Sequence, residues 1–393
     1  MFAFGIEHEV AFIRADGQFA DYTNTSFTEF DQLIRQLPLI PTDYPDLYVG
    51  DAGIRKKRWY IEGIERFDDA GVLMSFDAKG IEIRTTVHPT IQGAVAELAA
   101  SYAHLDEMAR AAGFTSVALA FHPFRTSYAY DPPLTAYERQ LHVDEPEYQT
   151  DHLPMVTFGP DLNLSCTAWS AAEIIDLGRK LTYYSPAIVP FSLNAPIYDG
   201  KRWDGYSVRT AIRTGARPAV RVYLADDADL ISSTPILTKR ARNVREVGRV
   251  EFKACDSCGD VGLYAGLLAL LKGLALDTSL PGRATTPDAA AHERVARSGF
   301  TDDAIARHCA EVLAAAMAAL GNDPDAALLA PLVVALEQRS CPAQAVLAEL
   351  AQAGSVTHLL AQYQSRPLRD PARSHRQLPP FPLTSHTPKS TPQ

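Results

Sequence analysis

The sequence predicts an α+β chain, with strands and helices mixed in the first two-thirds and helices alone afterwards. Residues 2–12, 80–86 and 249–254 alternate apolar and polar side chains, which is the pattern of a strand with one buried face. From residue 259 to about 366 the chain is rich in alanine and leucine and has helical periodicity. We therefore expect one domain over residues 1–366, with its helical part from about residue 259.

The first strand carries two carboxylates on its polar face. Phe4, Ile6 and Val10 fall on one side of this strand, and Glu7 and Glu9 fall on the other. A solvated outer face would show the same alternation. This strand alone therefore leaves both a structural and a functional interpretation open.

Two later strands repeat the arrangement. Glu82 and Arg84 form the polar side of one strand, and Glu251 and Lys253 form the polar side of the other. Each strand therefore presents an acid together with a base. Three strands of the same design favour a shared, acidic, metal-binding concave surface.

Further strands are predicted between these three. Residues 72–88 predict a hairpin, and residues 115–121 predict a single strand. Residues 155–165 predict another strand, in which Asp161 and Asn163 lie opposite the neighbouring leucines. Its acid and amide join the candidate site residues.

Two arginines complete the set of candidates. Residues 219–224 alternate with Arg221 on the polar side, and Arg209 follows a glycine on a loop or at a helix start. A guanidinium can hold a carboxylate or a phosphoryl group by forked hydrogen bonds. Both arginines are therefore candidates for binding an anionic substrate.

Two helix starts carry a capping-box signature, in which a serine and a glutamate three residues later satisfy free backbone amides. Ser26 with Glu29 begins one helix, and Ser170 with Glu173 begins another. Pro186 is expected to end the second helix, because proline lacks a backbone N–H.

Composition limits the partners and the location. A formal charge of -10 argues against nucleic acid, since phosphate binding needs concentrated lysine and arginine. Val261–Leu276 is too short for a comfortable membrane span and is expected to be a buried helix. Met1 leads directly into strand-like sequence without a signal peptide, and five cysteines give no disulfide framework, so we expect a cytoplasmic protein. Residues 367–393, with many Pro, Ser and Thr, predict a disordered tail.

The pair Cys255 and Cys258 could be half of a zinc site or a redox centre. No second Cys/His pair with zinc spacing accompanies it in the sequence. The pattern therefore favours two thiols near a strand end without metal or disulfide chemistry.

Carboxylate-rich sites without histidine and cysteine clusters favour hard cations such as Mg²⁺ or Mn²⁺, which commonly bridge to nucleotide phosphates. Arg84, Arg209, Arg221 and Lys253 could neutralise a transferring phosphoryl group or hold a substrate carboxylate. Metal-assisted phosphoryl transfer and metal-dependent hydrolysis both fit these residues, and spacing does not separate them.

The order of these motifs resembles the glutamate-cysteine ligases and related carboxylate-amine ligases, particularly the cyanobacterial-type branch. The resemblance spans roughly residues 1–275. The motifs that carry it are Gly5-Ile6-Glu7-His8-Glu9, Ile81-Glu82-Ile83-Arg84-Thr85-Thr86, His122-Pro123-Phe124, Asp161-Leu162-Asn163, Ser185-Pro186 through Asp199-Gly200-Lys201, Arg209, and Val250-Glu251-Phe252-Lys253.

The resemblance implies a curved, mainly antiparallel sheet that forms a funnel and is flanked by helices, as in glutamine synthetase. ATP and magnesium ions, or manganese, would bind inside the funnel. The implied metal ligands are Glu7, Glu9, Glu82, Asp161 and Glu251. The implied substrate-binding residues are Arg84, Asn163 and Arg209, to which we add Arg221, and the catalytic candidates are Glu251, Arg209 and Lys253.

Two positions depart from the family pattern. Asp161 stands where many relatives have histidine, and Lys253 stands where an arginine is common. An aspartate is still a competent magnesium ligand, whereas an ammonium group cannot reproduce an arginine fork. The metal site is therefore expected to persist with a changed substrate preference.

By this resemblance we expect ATP to phosphorylate a γ-carboxylate and an amine to displace the phosphate. The leading expectation is γ-glutamylcysteine made from glutamate and cysteine, so that the partners are small molecules. Two alternatives stay open: a related ligase that joins another acid or amine, and a ligand-binding relative without turnover. The sequence does not indicate the oligomeric state.

Overall fold

The computed structural model describes residues 1–40, 43 and 52–366. The predicted tail at residues 367–393 lies outside the described residues.

Ten strands and eleven helices follow one another in the described ranges. The strands are β1 (Phe2–Arg14), β2 (Trp59–Phe67), β3 (Leu73–Arg84), β4 (Phe114–Val117), β5 (Pro160–Cys166), β6 (Ile197–Tyr198), β7 (Lys201–Arg202), β8 (Val220–Leu224), β9 (Thr238–Arg240) and β10 (Val250–Phe252). The helices are α1 (Phe27–Gln36), α2 (Ile91–Ala111), α3 (Ala136–Asp144), α4 (Ala171–Ile188), α5 (Val208–Arg213), α6 (Val261–Leu276), α7 (Ala289–Ser298), α8 (Asp303–Leu320), α9 (Ala330–Glu337), α10 (Pro342–Ala353) and α11 (Val356–Ser365).

One sheet organises the molecule. Its strands are hydrogen-bonded in the order β2-β3-β1-β5-β10-β8-β9, and β4 pairs with the C-terminal part of β1. These pairs are antiparallel except for β8 with β9, which are parallel. The expected α+β fold with a curved, mainly antiparallel sheet is therefore confirmed.

The apolar face of the sheet is buried under helices. Phe4, Ile6 and Val10 of β1 are at most 2% exposed, as the alternation predicts. Helix α6 lies against this layer, in contact with α2, α8 and β5. Its leucines Leu267 and Leu271 are fully buried, so the expected buried core helix is confirmed.

His8 stands between Glu7 and Glu9 in the sequence, and its side chain lies on this apolar face. Its ring Nε2 is 2.9 Å from the hydroxyl oxygen of Tyr264 on α6. Burial lowers the pKa of His8 to about 4, so the imidazole is neutral at pH 7. His8 therefore anchors the strand to the core and leaves Glu7 and Glu9 on the opposite face.

Both capping boxes form as predicted. The Ser26 hydroxyl accepts from the Glu29 amide, the Ser170 hydroxyl accepts from the Glu173 amide, and each glutamate accepts from its serine amide. The expectation that Pro186 ends the second helix is wrong, since α4 continues to Ile188. The hydroxyl of Ser185 donates to the carbonyl of Thr182 at 2.7 Å, which satisfies the acceptor that the proline leaves without an amide.

The predicted hairpin at residues 72–88 is also wrong. Residues 73–84 are the single strand β3, and its hairpin partner is β2. Glu62 pairs with Gly80 and Gly63 pairs with Ala78, so Lys79 is the extra residue of a β-bulge. A bulge redirects a side chain, and this one carries Lys79 to the functional face.

The strand predicted for residues 155–165 starts later, at Pro160, because residues 154–156 form a 3₁₀ turn. The strand predicted for residues 115–121 is shorter and ends at Val117.

The thiols of Cys255 and Cys258 are both buried and not bonded to each other. Burial raises the pKa of Cys255 to about 12 and that of Cys258 to about 11. These values disfavour the thiolate that zinc or redox chemistry requires.

Among the described residues no helix is both long enough and apolar enough to cross a membrane.

Candidate active site

The strand register places the predicted site residues in neighbouring rows on one face of the sheet. Glu82 of β3 pairs with Glu9 of β1 in one row. The next row joins Arg84, Glu7 and Asp161, and a third joins Asn163, Glu251 and Arg221. All of these except Asn163 line one cavity of about 230 Å³, which we call the central cavity.

Two triads of carboxylates lie in the central cavity. Oxygen atoms of Glu7, Asp161 and Glu251 lie within 4.8 Å of one another, on three different strands. All three are among the metal ligands that the family resemblance implies. Three carboxylate oxygens this close to one another could act as ligands of one divalent cation.

The second triad consists of Glu9, Glu62 and Glu82, whose oxygens also lie within 4.8 Å of one another. Glu62, on β2, was not among the sequence candidates. The signal was present, because Tyr60 and Glu62 alternate with the buried Trp59 and Ile61 as the acids of the other strands do.

Burial changes the ionisation of these acids. It raises the pKa of Glu62 to about 7 and that of Asp161 to about 6, and it raises the pKa of Glu82 well above its ordinary value. Burial also opposes the ionisation of Glu251, but Lys253 and Arg249 outweigh it and lower the pKa of that carboxyl. Divalent cations would relieve both the desolvation and the mutual repulsion of the triads.

Basic side chains reach into both triads. Lys79 donates to Glu9 at 2.6 Å, and Arg84 donates to Glu82 at 2.6 Å while stacking on Tyr60. Both of these cations contact the second triad, Glu9, Glu62 and Glu82.

The other triad is contacted by two cations from the segment around β10. Arg249 lies 2.7 Å from Glu7 and 2.9 Å from Glu251. Lys253 contacts Asp161 and lies 2.5 Å from Glu251. Arg249 was not among the sequence candidates, although it stands two residues before Glu251 and follows the same alternation.

Arg209 lines the central cavity but is anchored in its wall. Its guanidinium donates to Asp256 at 3.3 Å, to the carbonyl of Ala254 at 3.2 Å and to that of Lys253 at 3.3 Å. A Cβ atom at Gly159 would lie 2.2 Å from Arg209 Nη2, so the glycine is needed for this packing. Arg209 thus supports the backbone of Lys253 in addition to facing the cavity.

Arg221 also lines the central cavity, where it forms an ion pair with Glu147. Asn163 instead lines an adjoining cavity of about 180 Å³, which we call the Asn163 cavity. The Asn163 cavity also contains Arg245 and shares Glu7, Arg84 and Arg249 with the central cavity.

A third and larger cavity of about 430 Å³, the Tyr130 cavity, adjoins the second triad at Glu62. Its walls include the rings of Tyr60, Tyr130 and Tyr148 and the carboxylate of Asp151. The central cavity therefore shares Glu7 with the Asn163 cavity and Glu62 with the Tyr130 cavity.

A family model described as glutamate-cysteine ligase family 2 matches residues 3–222. A protein of Roseiflexus castenholzii (strain DSM 13941 / HLO8) that carries the provisional name glutamate–cysteine ligase 2 is 26% identical over 213 residues, which are 51% of this chain and 55% of that protein. A protein of Roseiflexus sp. (strain RS-1) with the same name gives the same values. The matched part is thus about half the length of these curated relatives.

Two solved structures resemble nearly the whole chain. A bifunctional glutathione synthetase from Pasteurella multocida has a TM-score of 0.56 at 14% identity, covering 95% of this chain and 52% of that one. The glutamate–cysteine ligase of Francisella tularensis in complex with AMP has a TM-score of 0.55 at 11% identity, covering 95% of this chain and 91% of that one. At these identities the likeness shows a shared fold.

The family model extends from β1 into β8 and therefore includes both triads except Glu251. Because it matches more than half of the residues, the chain belongs to the glutamate-cysteine ligase family 2, a family of ATP-dependent ligases.

Proposed function

We propose that this chain is an ATP-dependent ligase that joins the γ-carboxyl group of glutamate to an amine, with cysteine as the acceptor and γ-glutamylcysteine as the product. The observation that carries the proposal is the pair of carboxylate triads side by side in a cavity rich in arginine and lysine. Family membership supports the reaction class, and the resemblance of the motifs supports the substrates.

In this proposal each triad holds one Mg²⁺ or Mn²⁺ ion: Glu7, Asp161 and Glu251 the first, and Glu9, Glu62 and Glu82 the second. Carboxylate oxygens without thiol or imidazole ligands suit these hard cations. When bound, the ions would neutralise phosphate charge during transfer to the carboxylate.

The cations of the chain would assist the transfer directly. Lys253 and Arg249 both contact Glu251 and line the cavity, so they are positioned to neutralise the phosphoryl group as it moves. Arg84, held against Tyr60 and Glu82, would do the same from β3.

We assign the nucleotide to the Asn163 cavity. Arg249, Arg245 and Arg84 give this cavity the positive charge that phosphates need. The buried Oδ1 of Asn163 accepts no hydrogen bond within the described part of the chain, which leaves it available to a donor on a ligand. The reacting carboxylate would then lie between the triads, and the amine would enter from the Tyr130 cavity.

A second candidate function is a related ligase with a different amine. The size and aromatic walls of the Tyr130 cavity favour it, because cysteine would leave much of that space unfilled. Lys253, in a position where relatives commonly have arginine, also supports a shift in substrate preference. A relative without turnover fits less well, since buried acids at this density are costly without cations to bind.

We place the protein in the cytoplasm, where ATP and reduced thiols are available.

The test is ADP release with ATP, Mg²⁺ and glutamate, measured for a panel of amines and followed by mass spectrometry of the product. Cysteine should be the best acceptor, and 2-aminobutyrate, which has a methyl group in place of the thiol, should react about tenfold more weakly, because so small a change in a pocket contributes only about 1–3 kcal/mol. If another amine gives the amide and cysteine does not, the second candidate replaces the first. If no pair of acid and amine consumes ATP, ligase activity is contradicted.

A further inference from the structure

A fourth cavity, of about 520 Å³, is lined by residues of α2, β4, α10, the start of α6 and the end of α11, and we call it the α10 cavity. Among the described residues, none that lines it also lines the central, Asn163 or Tyr130 cavity. Its volume lies within the range of about 300–1,000 Å³ that is usual for small-molecule sites. The α10 cavity is therefore a candidate binding site separate from the proposed site of ligation.

Asn194 is a buried polar residue that lines this cavity. It is 3% exposed, and its amide nitrogen donates to the carbonyls of Ala118 at 2.9 Å and of Ser257 at 2.8 Å. These two carbonyls use both N–H groups of the side chain and fix the orientation of the amide. Its Oδ1 accepts no hydrogen bond from the described part of the chain. A buried acceptor without a donor is costly, so Asn194 indicates a ligand that supplies an N–H or O–H group.

The charges around the α10 cavity favour a cation. Three carboxylates line it, those of Asp106, Asp260 and Glu349, against the two guanidinium groups of Arg110 and Arg366. Asp106 is 3.4 Å from Arg110, and Glu349 is 2.8 Å from Arg366. Asp260 has no cationic group within 4.0 Å in residues 1–40, 43 and 52–366. The unbalanced carboxylate attracts a positively charged ligand.

Much of the remaining wall is apolar. It includes Val117 and Ala118 at the end of β4 and Pro342, Ala345 and Val346 of α10. Hydrocarbon that packs against these side chains leaves water, which favours a ligand with an apolar body. A volume of about 520 Å³ is also far more than the roughly 30 Å³ that one water molecule occupies.

We propose that the α10 cavity binds a primary amine with an apolar body. The ammonium group donates to Asn194 Oδ1 and is attracted by the excess of carboxylates, and the hydrocarbon packs against the apolar wall. Both groups left without a partner, the Asn194 oxygen and the Asp260 carboxylate, are acceptors, so they suit a donor and not an anion. Binding at this site requires neither ATP nor turnover and does not rest on the proposed function.

The first experiment compares ligands with the same hexyl chain by calorimetry, with the full chain and without ATP. Hexylamine should bind with a Kd of about 1 mM or lower. 1-Hexanol has a donor but no charge, and hexyltrimethylammonium has a charge but no N–H group. Each should bind at least about tenfold more weakly than hexylamine, because a charged hydrogen bond is lost.

Hexanoate, which has the opposite charge, should show no binding at about tenfold the Kd of hexylamine. Equal binding of hexanoate and hexylamine would overturn the proposal, as would equal binding of hexyltrimethylammonium. A parent protein that binds no hexylamine at about 10 mM would mean that the cavity holds water only, which also overturns it.

The second experiment fills the cavity. Ala345→Trp places a large side chain in it from an exposed position of α10, and it should weaken hexylamine binding at least about tenfold. The matched control is Ala348→Trp, because Ala348 is also exposed on α10 and does not line the cavity. If Ala345→Trp binds hexylamine as the parent does, the amine binds elsewhere, such as in the Tyr130 cavity, and the proposal fails.

The third experiment changes the charge. Asp260→Asn should weaken hexylamine about threefold and leave 1-hexanol unchanged. Asparagine can still accept from the Gly262 amide, so the cap of α6 is kept. Asp288→Asn is the matched control, because Asp288 caps α7 in the same way and does not line the α10 cavity. Equal changes for hexylamine and 1-hexanol would contradict the selection of a cation.

Asn194→Ala removes the acceptor itself and should weaken hexylamine at least about tenfold. The Asn194 amide also holds two carbonyls, so melting temperature is measured alongside. If this variant does not fold, the comparison of hexylamine with hexyltrimethylammonium and the Ala345→Trp variant decide. A parent that consumes no ATP with any acid would contradict the ligase function and leave these binding results as the test of the amine site.

Discussion

Glu7 on β1 and Asp161 on β5 are direct cross-strand partners on the open face of the sheet. Two carboxylates at such a position repel each other and destabilise a sheet unless a cation lies between them. Burial raises the pKa of Asp161 to about 6, with the charges of Glu251 and Glu7 adding to the shift. Arg249 contacts Glu7 and Lys253 contacts Asp161, and we expect a bound metal ion to relieve the repulsion further, which leads to the first prediction.

Mg²⁺ should be required for turnover and should stabilise the folded protein. A chelator should abolish ADP release, and added Mg²⁺ or Mn²⁺ should restore it. At a concentration of about 100 times its dissociation constant, an ion bound only by the folded state contributes about 2.7 kcal/mol to the free energy of unfolding. Activity and melting temperature that do not respond to chelator would contradict both metal sites.

Glu251→Gln should lose at least about 100-fold in kcat while the protein stays folded, because the shape is kept and the charge next to Lys253 and Arg249 is removed. The matched control is Glu293→Gln, since Glu293 pairs with Arg297 on the exposed face of α7. Near-parental turnover in Glu251→Gln would exclude this residue from the first triad.

Glu62→Gln should weaken the second metal site alone. We expect a higher Mg²⁺ concentration for half-maximal activity, partly rescued at high Mg²⁺, because Glu9 and Glu82 remain. The measurement is a Mg²⁺ titration of ADP release with Glu293→Gln as the control. An unchanged titration would mean that the closeness of Glu62 to Glu9 and Glu82 has no role in metal binding.

Most of the acidic site could be predicted from sequence because strand alternation is a strict period of two. Once Phe4 and Ile6 are assigned to the core, Glu7 and Glu9 must lie on the other face. The same rule applies to Glu62, whose strand directly follows the basic run Arg55-Lys56-Lys57-Arg58.

The remaining site residues depend on contacts that no single period describes. Arg213 and Arg217 line the central cavity from a helix and from the loop that follows it, so neither helical nor strand periodicity identifies them. Lys79 reaches Glu9 because of a β-bulge, which depends on the pairing of β2 with β3. Pro186 lies inside a helix because a serine hydroxyl replaces the missing amide.

Stability should depend on pH through His292, a buried residue of α7 outside the proposed site. Burial lowers its pKa to about 4, and its Nδ1 is 2.8 Å from the carbonyl of Asp288. Between pH 6.5 and 4 the unfolded chain binds a proton at this histidine and the folded chain does not. The free energy of unfolding should therefore fall by about 3 kcal/mol from this group as the pH drops through that interval.

The check is urea unfolding at several pH values for the parent, for His292→Gln and for His104→Gln, which changes an exposed histidine. The His292→Gln variant should show a shallower loss of stability between pH 6.5 and 4, and His104→Gln should follow the parent. Identical slopes for the parent and His292→Gln would show that His292 does not resist protonation in the folded state.

The two departures from the family pattern contact each other. Lys253, where the resemblance leads us to expect an arginine, donates to Asp161, where it leads us to expect a histidine. A buried aspartate needs a cation, and the compact ammonium group of Lys253 fits between Asp161 and Glu251. The planar guanidinium of an arginine is broader than an ammonium group, so it would not make the same two contacts. We therefore expect the two substitutions to be coupled.

Asp161→His and Lys253→Arg should each lower kcat/KM by about 10-fold or more, and the double variant should recover part of that loss, with a coupling free energy of about 1–3 kcal/mol. The measurement is kcat/KM for glutamate in the four proteins of the cycle, with melting temperatures to confirm folding. Additive losses would mean that Asp161 and Lys253 act independently despite their contact.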